Sequence, residues 1–445
     1  MSTAEPPPVP DVFDPRQYAH GLPHDRYRVL RDHHPVAWQE EPEVLGWPAG
    51  PGFWAVTRHA DVVRVLKDFT TYSSHIGATQ IRDPDPADLP FIRGMMLNQD
   101  PSPGSRPRAS GGDTTGHGRL RRLVSRAFTP GRVERFTSVA RERARGLLAA
   151  ALADARSRDD GVCDIVTAVT DEYALLNLAD LLGVPAADRA LLLHWTRRVI
   201  GYQDPDEAGQ PVTGPDGRPV DPRSPAMLAD MFAYAERLAV HKRAHPGDDI
   251  MTTLAHGTEA TTRGGLTSSE LGMFFFLLTV AGNDTVRSAA PGGLLALATH
   301  PDAYDRLRAG RAGLATAVDE LLRRHPPVLT FRRTATRDHD LAGRRVRAGD
   351  KVVVFHASAN HDERVFAEPH RLDLNRSPNP HVSFGDGPHV CLGAHFARLQ
   401  LRVLYEEVLR ALPLAPRLAG PPKRLVSNFV NGLKALPLDV SGKPM

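Results

Sequence analysis

The sequence predicts a mainly α-helical protein with a minor β-sheet, folded as a single domain. Most of the long segments are predicted to be helices, and over 394–412 apolar residues recur at spacings of three and four, which is the period of an amphipathic helix. Strand-like runs are short and few, and lie at 53–56 and between 328 and 355. Few of the segments could fold as independent units. We therefore expect a flexible tail over residues 1–12 and one integrated domain over 13–445.

Composition excludes several classes of function. The 445 residues include 55 Lys+Arg and 52 Asp+Glu, a net charge of +3, which argues against a nucleic-acid partner. The two cysteines, Cys163 and Cys391, are too few for a disulfide framework and indicate a reducing cytoplasm. Residues 1–10 contain no signal or anchor segment, and the longest apolar run, 273–282, is too short to cross a bilayer. We expect a cytoplasmic protein without a membrane anchor.

The N-terminal half alternates predicted helices with two polar insertions. Helices are predicted over 27–33, 59–69 and 117–128, and a strand over 53–56. The insertions span about 99–116 and 202–224 and are rich in Gly, Pro, Asp and Arg. Such composition is typical of loops.

The C-terminal half contains the longest predicted helix. A capping box formed by Thr267 and Glu270 predicts its start, and its interior covers 271–290. Pro291 lacks a backbone N–H, so we expect a kink there and leave open whether the helix continues to His300. The remaining predicted elements are helices over 314–325 and 394–412 and strands over 328–336, 344–346 and 351–355.

The most distinctive stretch is Phe-Gly-Asp-Gly-Pro-His-Val-Cys-Leu-Gly over 384–393, directly ahead of the last helix. Gly385 and Gly387 are expected at turn positions with positive φ, and Gly393 permits a flat partner to approach closely. Cys391 lies just before a helix N-terminus, where the helix dipole and free N–H groups lower the pKa of a thiol. The stretch could therefore hold a thiolate. Two other interpretations are a small buried cysteine and a dinucleotide-binding loop, which would need a third glycine.

This stretch resembles the haem-ligand loop of the cytochrome P-450 family, whose pattern Phe-Gly-x-Gly-x-His-x-Cys-x-Gly it matches at every specified position. The resemblance implies the single-domain cytochrome P-450 fold, with haem b between an oxygen-binding helix and the helix after the cysteine loop. It also implies that Cys391 is the proximal iron ligand and that Phe384, His389 and Gly393 contact the cofactor.

A second constellation, Ala281-Gly282-Asn283-Asp284-Thr285, lies inside the apolar helix. A buried carboxylate is costly unless it has a partner or a task, and a threonine hydroxyl can bond the carbonyl four residues earlier. Alone, the pattern favours a helix with a polar stripe. Beside the cysteine loop it resembles the family's oxygen-binding helix. That resemblance implies that Asp284 and Thr285 relay protons to bound O2, and that Ala281 and Gly282 lie against the haem.

Supporting positions are also implied by the resemblance. Glu320 and Arg323, three residues apart on a predicted helix, resemble a family pair that is joined by an arginine from a later loop. Arg371 fits that third position. We assign the three to folding and haem retention.

Haem propionates need cations or hydrogen-bond donors. The resemblance nominates four residues for this role, namely His117, Arg121, Arg333 and His389. The plain alternative for each is a solvated surface charge.

The implied activity is that of a haem-dependent monooxygenase, presumed monomeric. It would insert one oxygen atom of O2 into a lipophilic small molecule, with electrons from ferredoxin and ferredoxin reductase and so indirectly from NAD(P)H. The chain resembles actinobacterial members that oxidise steroids and related lipids, which favours a steroid- or terpenoid-like substrate. Alternatives are a tailoring oxidase acting on a polyketide or cyclic peptide, a peroxide-driven peroxygenase, which would not need the relay, and a non-enzymatic haem sensor or electron carrier.

Four segments are predicted to line the substrate pocket, at 91–97, 275–281, 328–331 and 428–430. They are mainly apolar, which suits a lipophilic, largely uncharged ligand.

The electron donor is expected to be a separate protein, because we find no Gly-rich phosphate loop in the N-terminal part. The predicted basic helix carries Arg119, Arg121, Arg122 and Arg126. Such a cluster would attract an acidic ferredoxin. Arg122 and Arg126 are the better candidates for contact, since Arg121 is assigned to the haem.

Overall fold

The computed structural model describes residues 6–102, 116–125, 128–208, 212–214, 217, 219–257 and 266–441. It confirms a mainly helical single-domain fold with small sheets. The helices are α1 His24–His33, α2 His59–Lys67, α3 Leu89–Ile92, α4 Gly116–Ser125, α5 Pro130–Arg135, α6 Thr137–Ser157, α7 Asp171–Leu182, α8 Arg189–Ile200, α9 Pro225–Ala244, α10 Ile250–Gly257, α11 Ser268–Ala298, α12 Pro301–Arg308, α13 Leu314–Arg324, α14 His356–Ala359 and α15 Ala394–Ala411.

The strands are short and form four small sheets. They are β1 Val36–Gln39, β2 Phe53–Val56, β3 Tyr72–Ser73, β4 Val162–Asp164, β5 Thr330–Ala335, β6 His339–Leu341, β7 Arg344–Val346, β8 Lys351–Phe355, β9 Arg417–Leu418, β10 Lys423–Arg424, β11 Leu433–Ala435 and β12 Pro437–Asp439. The largest sheet has five strands in the order β1-β2-β8-β5-β3, with β2 and β8 parallel and the other pairs antiparallel. It matters for the site because β5 carries Arg333, which is paired in register with Val352 of β8.

The central helix α11 begins where the capping box predicts. Thr267 Oγ1 accepts a bond from the backbone N–H of Glu270 at 3.2 Å, and Glu270 Oε2 accepts from the backbone N–H of Thr267 at 2.9 Å. The helix then continues through Pro291 to Ala298, which answers the question left open by the sequence. The turns on both sides of the proline, from Val286 to Leu294, are buried.

Helix α15, which follows the cysteine loop, packs against α11, α6 and α13. Its Tyr405 is fully buried, and the hydroxyl lies 3.2 Å from the carbonyls of both Ala289 and Ala290 of α11. The two helices that were expected to flank a haem are therefore held together by a buried hydrogen-bonding group as well as by apolar packing.

The N-terminal tail is shorter than the predicted 1–12. Val12 is fully buried, and its backbone N–H donates to Gln39 Oε1 at 3.0 Å. The carbonyl of Pro7 is bonded by His34 at 2.6 Å. These hydrogen bonds attach residues 7–12 to the domain, and residues 1–5 lie outside the described part of the chain.

The structure describes most of the second polar insertion but only a small part of the first. Residues 103–115 of the first lie outside the described residues. The second is anchored near its end, where buried Asp221 accepts bonds from Arg82 at 2.9 Å and from Arg223 at 2.7 Å. Composition predicts a loop there but does not indicate this anchor.

Candidate active site

A large, mainly apolar cavity lies between α11 and the cysteine loop with α15. It encloses about 1540 Å³, counting the part that opens to solvent. All of the predicted site residues except His117 and Asp284 line it. These are Arg121, Ala281, Gly282, Thr285, Arg333, Phe384, His389, Cys391 and Gly393.

The cysteine loop has the turn geometry that its glycines predict. Gly385 and Gly387 both have φ of +69°. A Cβ added at Gly387 would lie 2.6 Å from the carbonyl oxygen of Leu66, so the turn also needs glycine for its packing against the end of α2. The backbone N–H of Cys391 donates to the carbonyl of Phe384 at 2.8 Å and closes the loop.

The electrostatics at Cys391 differ from the expectation. Burial raises the pKa of the thiol, although a hydrogen bond from the Gly393 N–H and the positive charges of Arg121 and Arg398 act in the opposite direction. The hydrogen bond at the helix N-terminus therefore acts in the predicted direction, but desolvation by the surrounding protein outweighs it. The side chain opens into the cavity, and a metal ion that coordinates a thiol deprotonates it outright.

A buried arginine on the cavity wall lacks an acidic partner. Arg333 is 2% exposed and donates to the carbonyl of Arg332 at 2.9 Å, and among the described residues no carboxylate forms an ion pair with it. Burial lowers the pKa of Arg333 to about 10, although the negative charge of Asp100 acts in the opposite direction. An uncompensated buried cation is costly, so the position fits an anionic group of a ligand. Arg121 also lines the cavity and donates to the carbonyl of Val390 at 2.6 Å.

The two predicted histidines are brought together. The rings of His117 and His389 meet edge to face with centroids 4.8 Å apart. His389 lies 3.3 Å from Ser74 Oγ, and burial together with nearby Arg333 holds its pKa well below the usual value. His389 is thus a neutral imidazole. Ser74 directly follows β3, and no motif in the sequence nominates it.

Thr285 adopts the predicted hydrogen bond on the opposite wall. Its hydroxyl donates to the carbonyl of Ala281 at 2.7 Å. Gly282 lies close to α7, since a Cβ there would be 2.7 Å from Leu178 Cδ1 and that side chain would have to shift. Thr285, Ala281, Gly282 and Leu178 all line the cavity.

Asp284 lies behind this wall, inside a buried charge cluster. Its Oδ1 is 3.4 Å from Arg287 Nη1, and Arg287 is bonded more closely to Asp171 of α7 at 2.9 Å. The other oxygen of Asp284 is buried without a hydrogen-bond partner. Burial raises the pKa of Asp284 to about 6. The sequence analysis did not identify Arg287 and Asp171 as partners. The position of Arg287, three residues after Asp284, could have indicated that these two side chains pair.

The third member of the supporting cluster is Arg376, not Arg371 as predicted. Glu320 and Arg323 are fully buried and pair at 2.7 Å, and Arg376 Nε donates to Glu320 at 3.1 Å. Arg371 instead pairs with Glu368 at the surface, at 2.9 Å. Both arginines lie in the same loop, so only its path decides which one reaches the buried carboxylate.

Three of the four predicted pocket segments contribute to the cavity wall. The wall includes Leu97, the turn of α11 with Leu277 and Leu278, and Phe331. The fourth segment was placed wrongly, because Asn428 and Phe429 line a separate small cavity. Apolar residues of α7 and α10 complete the large cavity and were not predicted; they are Leu178, Leu181, Leu182 and Ile250.

These residues fit a haem. A thiol, a buried arginine without an acidic partner, a second arginine and a neutral imidazole surround one side of an apolar cavity, as a thiolate-ligated porphyrin with two propionates would require.

Comparisons with known proteins agree with this geometry. A family model described as Cytochrome P450 matches residues 314–438. The chain is 37% identical over 414 residues to a methyl-branched lipid omega-hydroxylase of Mycobacterium tuberculosis, covering 93% of this chain and 90% of that protein. The chain belongs to the cytochrome P450 family. This cytochrome P450 is also 34% identical over 436 residues to a steroid C26-monooxygenase of Rhodococcus jostii, covering 96% and 84% of the two chains.

Solved structures give the same result. A Mycobacterium marinum cytochrome P450 in complex with pseudoionone superposes with a TM-score of 0.79 at 35% identity, covering 98% of this chain and all of that one. A Bacillus megaterium cytochrome P450 in complex with testosterone superposes with a TM-score of 0.76 at 26% identity, covering 94% and 97%. The protein is therefore a haem-dependent monooxygenase. Among its described helices, none is long and apolar enough to cross a membrane.

Proposed function

We propose that this cytochrome P450 inserts one oxygen atom of O2 into a lipophilic, largely uncharged substrate of the steroid or terpenoid type, with electrons from a separate ferredoxin. The observation that carries the proposal is the wall of the cavity. Away from the cysteine loop and its arginines it consists mainly of leucine, phenylalanine and other apolar side chains, which favour burial of an apolar ligand. The names of the relatives at 34–37% identity point to lipid and steroid substrates.

The residues around the cofactor have distinct roles in this proposal. Cys391 would hold the iron, and Arg121, Arg333 and His389 would bind the propionates, with His117 packed behind His389. When bound, the haem supplies the activation of O2.

The proton would be held at the hydroxyl of Thr285. That hydroxyl has a single proton, which it donates to the carbonyl of Ala281, and two lone pairs that can accept. Its donation to another atom therefore requires the bond to Ala281 to break. Asp284, one residue before it and with a pKa near 6, is suited to resupply the proton at neutral pH.

A tailoring oxidase acting on a polyketide is the alternative substrate class. It is favoured by the structural similarity, at a TM-score of 0.75 and 26% identity, to the cytochrome P450 EryK in complex with erythromycin B. The higher identity of the lipid- and steroid-named relatives supports the first class. A peroxide-driven enzyme would make no use of Thr285 and Asp284.

The test is a binding and turnover panel on purified haem-loaded protein. Steroids, terpenoids, methyl-branched lipids, macrolides and cyclic peptides are titrated while the Soret band is followed, and the ligands that shift it are incubated with a ferredoxin, its reductase and NADPH. We expect spectral shifts and hydroxylated or epoxidised products from the steroid, terpenoid or branched-lipid group. Shifts caused only by small, highly charged metabolites would contradict the proposal, and products only from macrolides would favour the alternative.

The thiolate is checked with two matched variants. The ferrous–CO complex of Cys163→Ala should keep the red-shifted Soret band of thiolate ligation, and that of Cys391→Ala should lose it. Cys163 is a suitable control because it is buried in β4.

A further inference from the structure

Three histidines from separate parts of the chain meet outside the cavity. His24 is the first residue of α1, His361 follows α14, and His370 lies in the loop beyond it. Their ring centroids are 4.4 Å apart for His24 and His361, 5.0 Å for His24 and His370, and 5.2 Å for His361 and His370. One ring nitrogen from each lies within 4.8 Å of the other two, and no other such trio of potential metal ligands occurs in the described part of the chain.

Hydrogen bonds define which nitrogens are available. His361 Nδ1 lies 2.9 Å from the carbonyl of Ala357, and a carbonyl only accepts, so Nδ1 carries the proton and Nε2 keeps its lone pair. A bond from the second ring nitrogen to a backbone carbonyl is the arrangement that orients metal-binding histidines. His24 Nδ1 is buried and has no hydrogen-bond partner in the structure. A ligand at this point would satisfy it.

We propose that His24, His361 and His370 form a binding site for one divalent transition-metal ion of the zinc class, with water as the fourth ligand. Imidazole nitrogens suit such ions, and three-histidine sites leave the fourth position of a tetrahedron open. In a tetrahedron with zinc–nitrogen bonds of about 2.0–2.1 Å, two ligand nitrogens lie about 3.4 Å apart. Since the three ring nitrogens lie within 4.8 Å of one another, a pair at that limit has to close by about 1.4 Å. Side-chain rotation allows this, because His370 is exposed and His24 is only half-buried.

The protonation state agrees with this assignment. Burial lowers the pKa of His24 to about 3 and holds that of His361 well below its usual value. The pKa of His370 is lowered too, again chiefly by burial. These shifts favour the neutral rings, and the neutral imidazole is the form that binds metals.

Nearby arginines limit the affinity without excluding the ion. Arg31 and Arg323 contribute to the lowered histidine pKa values, but each is paired with a carboxylate, Glu363 at 2.8 Å and Glu320 at 2.7 Å. Arg324 also acts on His24 and His370, and it donates to the backbone carbonyl of His370. Two of the three positive charges are therefore compensated. We expect binding weaker than in a dedicated structural zinc site.

The site shares its supports with the cysteine loop. Arg323 donates to the carbonyl of Asn360 at 2.6 Å and to that of Pro369 at 2.8 Å, the residues directly before His361 and His370. Asn360 Oδ1 accepts from the backbone N–H of Val382, just ahead of the cysteine loop, at 2.8 Å. A bound ion would thus join α1 to the scaffold that holds this loop. It would stabilise the fold, because an ion that binds only the folded state shifts the folding equilibrium.

The test uses full-length haem-loaded protein without a histidine tag. The protein is treated with EDTA, dialysed against Zn²⁺, and analysed for bound zinc by mass spectrometry and for its thermal unfolding midpoint. His24→Gln and His370→Gln are compared with wild type and with His33→Gln, an exposed histidine of the same helix. Each variant is first checked for its thiolate-type Soret band with CO.

We expect wild type and His33→Gln to bind zinc saturably and to unfold at a higher temperature with it. His24→Gln and His370→Gln should bind zinc at least about tenfold more weakly. Replacing a residue that only supports a metal ligand typically lowers metal affinity by about 10–100-fold, so the loss of a ligand itself should cost at least as much. If His24→Gln does not fold, His370→Gln decides, since its side chain is at the surface. Absence of zinc uptake by wild type, or unchanged uptake by the folded variants, would overturn the proposal and leave the trio as packed neutral rings.

Discussion

Asp284 and Thr285 are adjacent in sequence but occupy different environments. The hydroxyl of Thr285 lines the cavity, whereas the carboxyl of Asp284 is buried against Arg287. Within one turn of α11, the Thr285 hydroxyl therefore faces the cavity, and the Asp284 carboxyl behind it can hold a proton. The two roles can be tested separately. For Thr285 the test is how much of the consumed NADPH yields product and how much yields hydrogen peroxide, and for Asp284 it is the pH dependence of stability.

Thr285→Ala should separate substrate binding from product formation. Ligand-induced spectral shifts should persist, while most of the consumed NADPH appears as hydrogen peroxide, because a positioned proton donor contributes about 10²–10⁴-fold in rate. Product and peroxide are measured per NADPH. Thr285→Ser should retain coupling, and so should Thr279→Ala, a buried threonine of α11 that does not line the cavity. Normal coupling in Thr285→Ala would exclude the proton-delivery role.

Asp284 should make stability fall as pH rises. Its pKa of about 6 in the folded protein exceeds the usual value of 3.8, so the fold favours the protonated form. That contribution is complete below about pH 4 and is lost as pH rises through 6, and it amounts to up to about 3 kcal/mol. Relative to Asp284→Asn, wild type should lose thermal stability between pH 4 and pH 7. Asp25→Asn, at an exposed position of α1, should follow wild type. Parallel curves for wild type and Asp284→Asn would mean that the carboxyl is not held protonated.

At the scale of elements, the buried carboxylate of Glu320 connects α13 to the loop that precedes the cysteine. It accepts from Arg323 of α13 and from Arg376, and the backbone N–H of Asp373 also donates to it at 3.1 Å. The helix and loop are therefore held by one charge-assisted network, which supports the turn that presents Cys391.

Arg376→Ala should lower the free energy of unfolding by about 1–3 kcal/mol, because it removes a donor from a buried charged acceptor. Arg371→Ala should change it by less than about 0.5 kcal/mol, since its pair with Glu368 is at the surface. Urea unfolding of the two variants measures both values, and retention of the Soret band reports on the haem. A larger effect of Arg371→Ala than of Arg376→Ala would reverse the assignment made from the structure.

At the scale of the whole molecule, the proposed ferredoxin has to reach the cysteine side of the haem. On α4, Arg119 pairs with Glu270, and Arg121 donates to the carbonyl of Val390. Arg122 is exposed, while Arg126 lies outside the described residues. The predicted docking surface is therefore tested by substituting Arg122.

Arg122→Glu should slow reduction by ferredoxin and leave ligand-binding spectra unchanged, because it reverses a charge that would attract an acidic partner. The wild-type rate should decrease with salt as the Debye length falls from about 10 Å at 0.1 M to about 3 Å at 1 M. Stopped-flow reduction measures both. Arg28→Glu, an exposed arginine of α1, provides the matched charge reversal. Equal rates for both variants and no salt effect would locate docking elsewhere.

The sequence by itself determined the features that depend on neighbouring residues. The capping box placed the start of α11, the glycines of the cysteine loop required positive φ, and a threonine four residues after Ala281 bonded its carbonyl. Such patterns can be read directly because period, cap and turn conformation are set within a few residues.

Only the tertiary structure decided the features that depend on distant partners. It selected Arg376 over Arg371, joined the Arg287 beside Asp284 to Asp171 of α7, and raised the pKa of the Cys391 thiol. In the first case two similar side chains compete for one carboxylate and the path of the loop selects between them. In the other two, burial by several remote elements outweighs the local dipole or spacing, and desolvation is a property of the assembled fold that no short stretch of sequence contains.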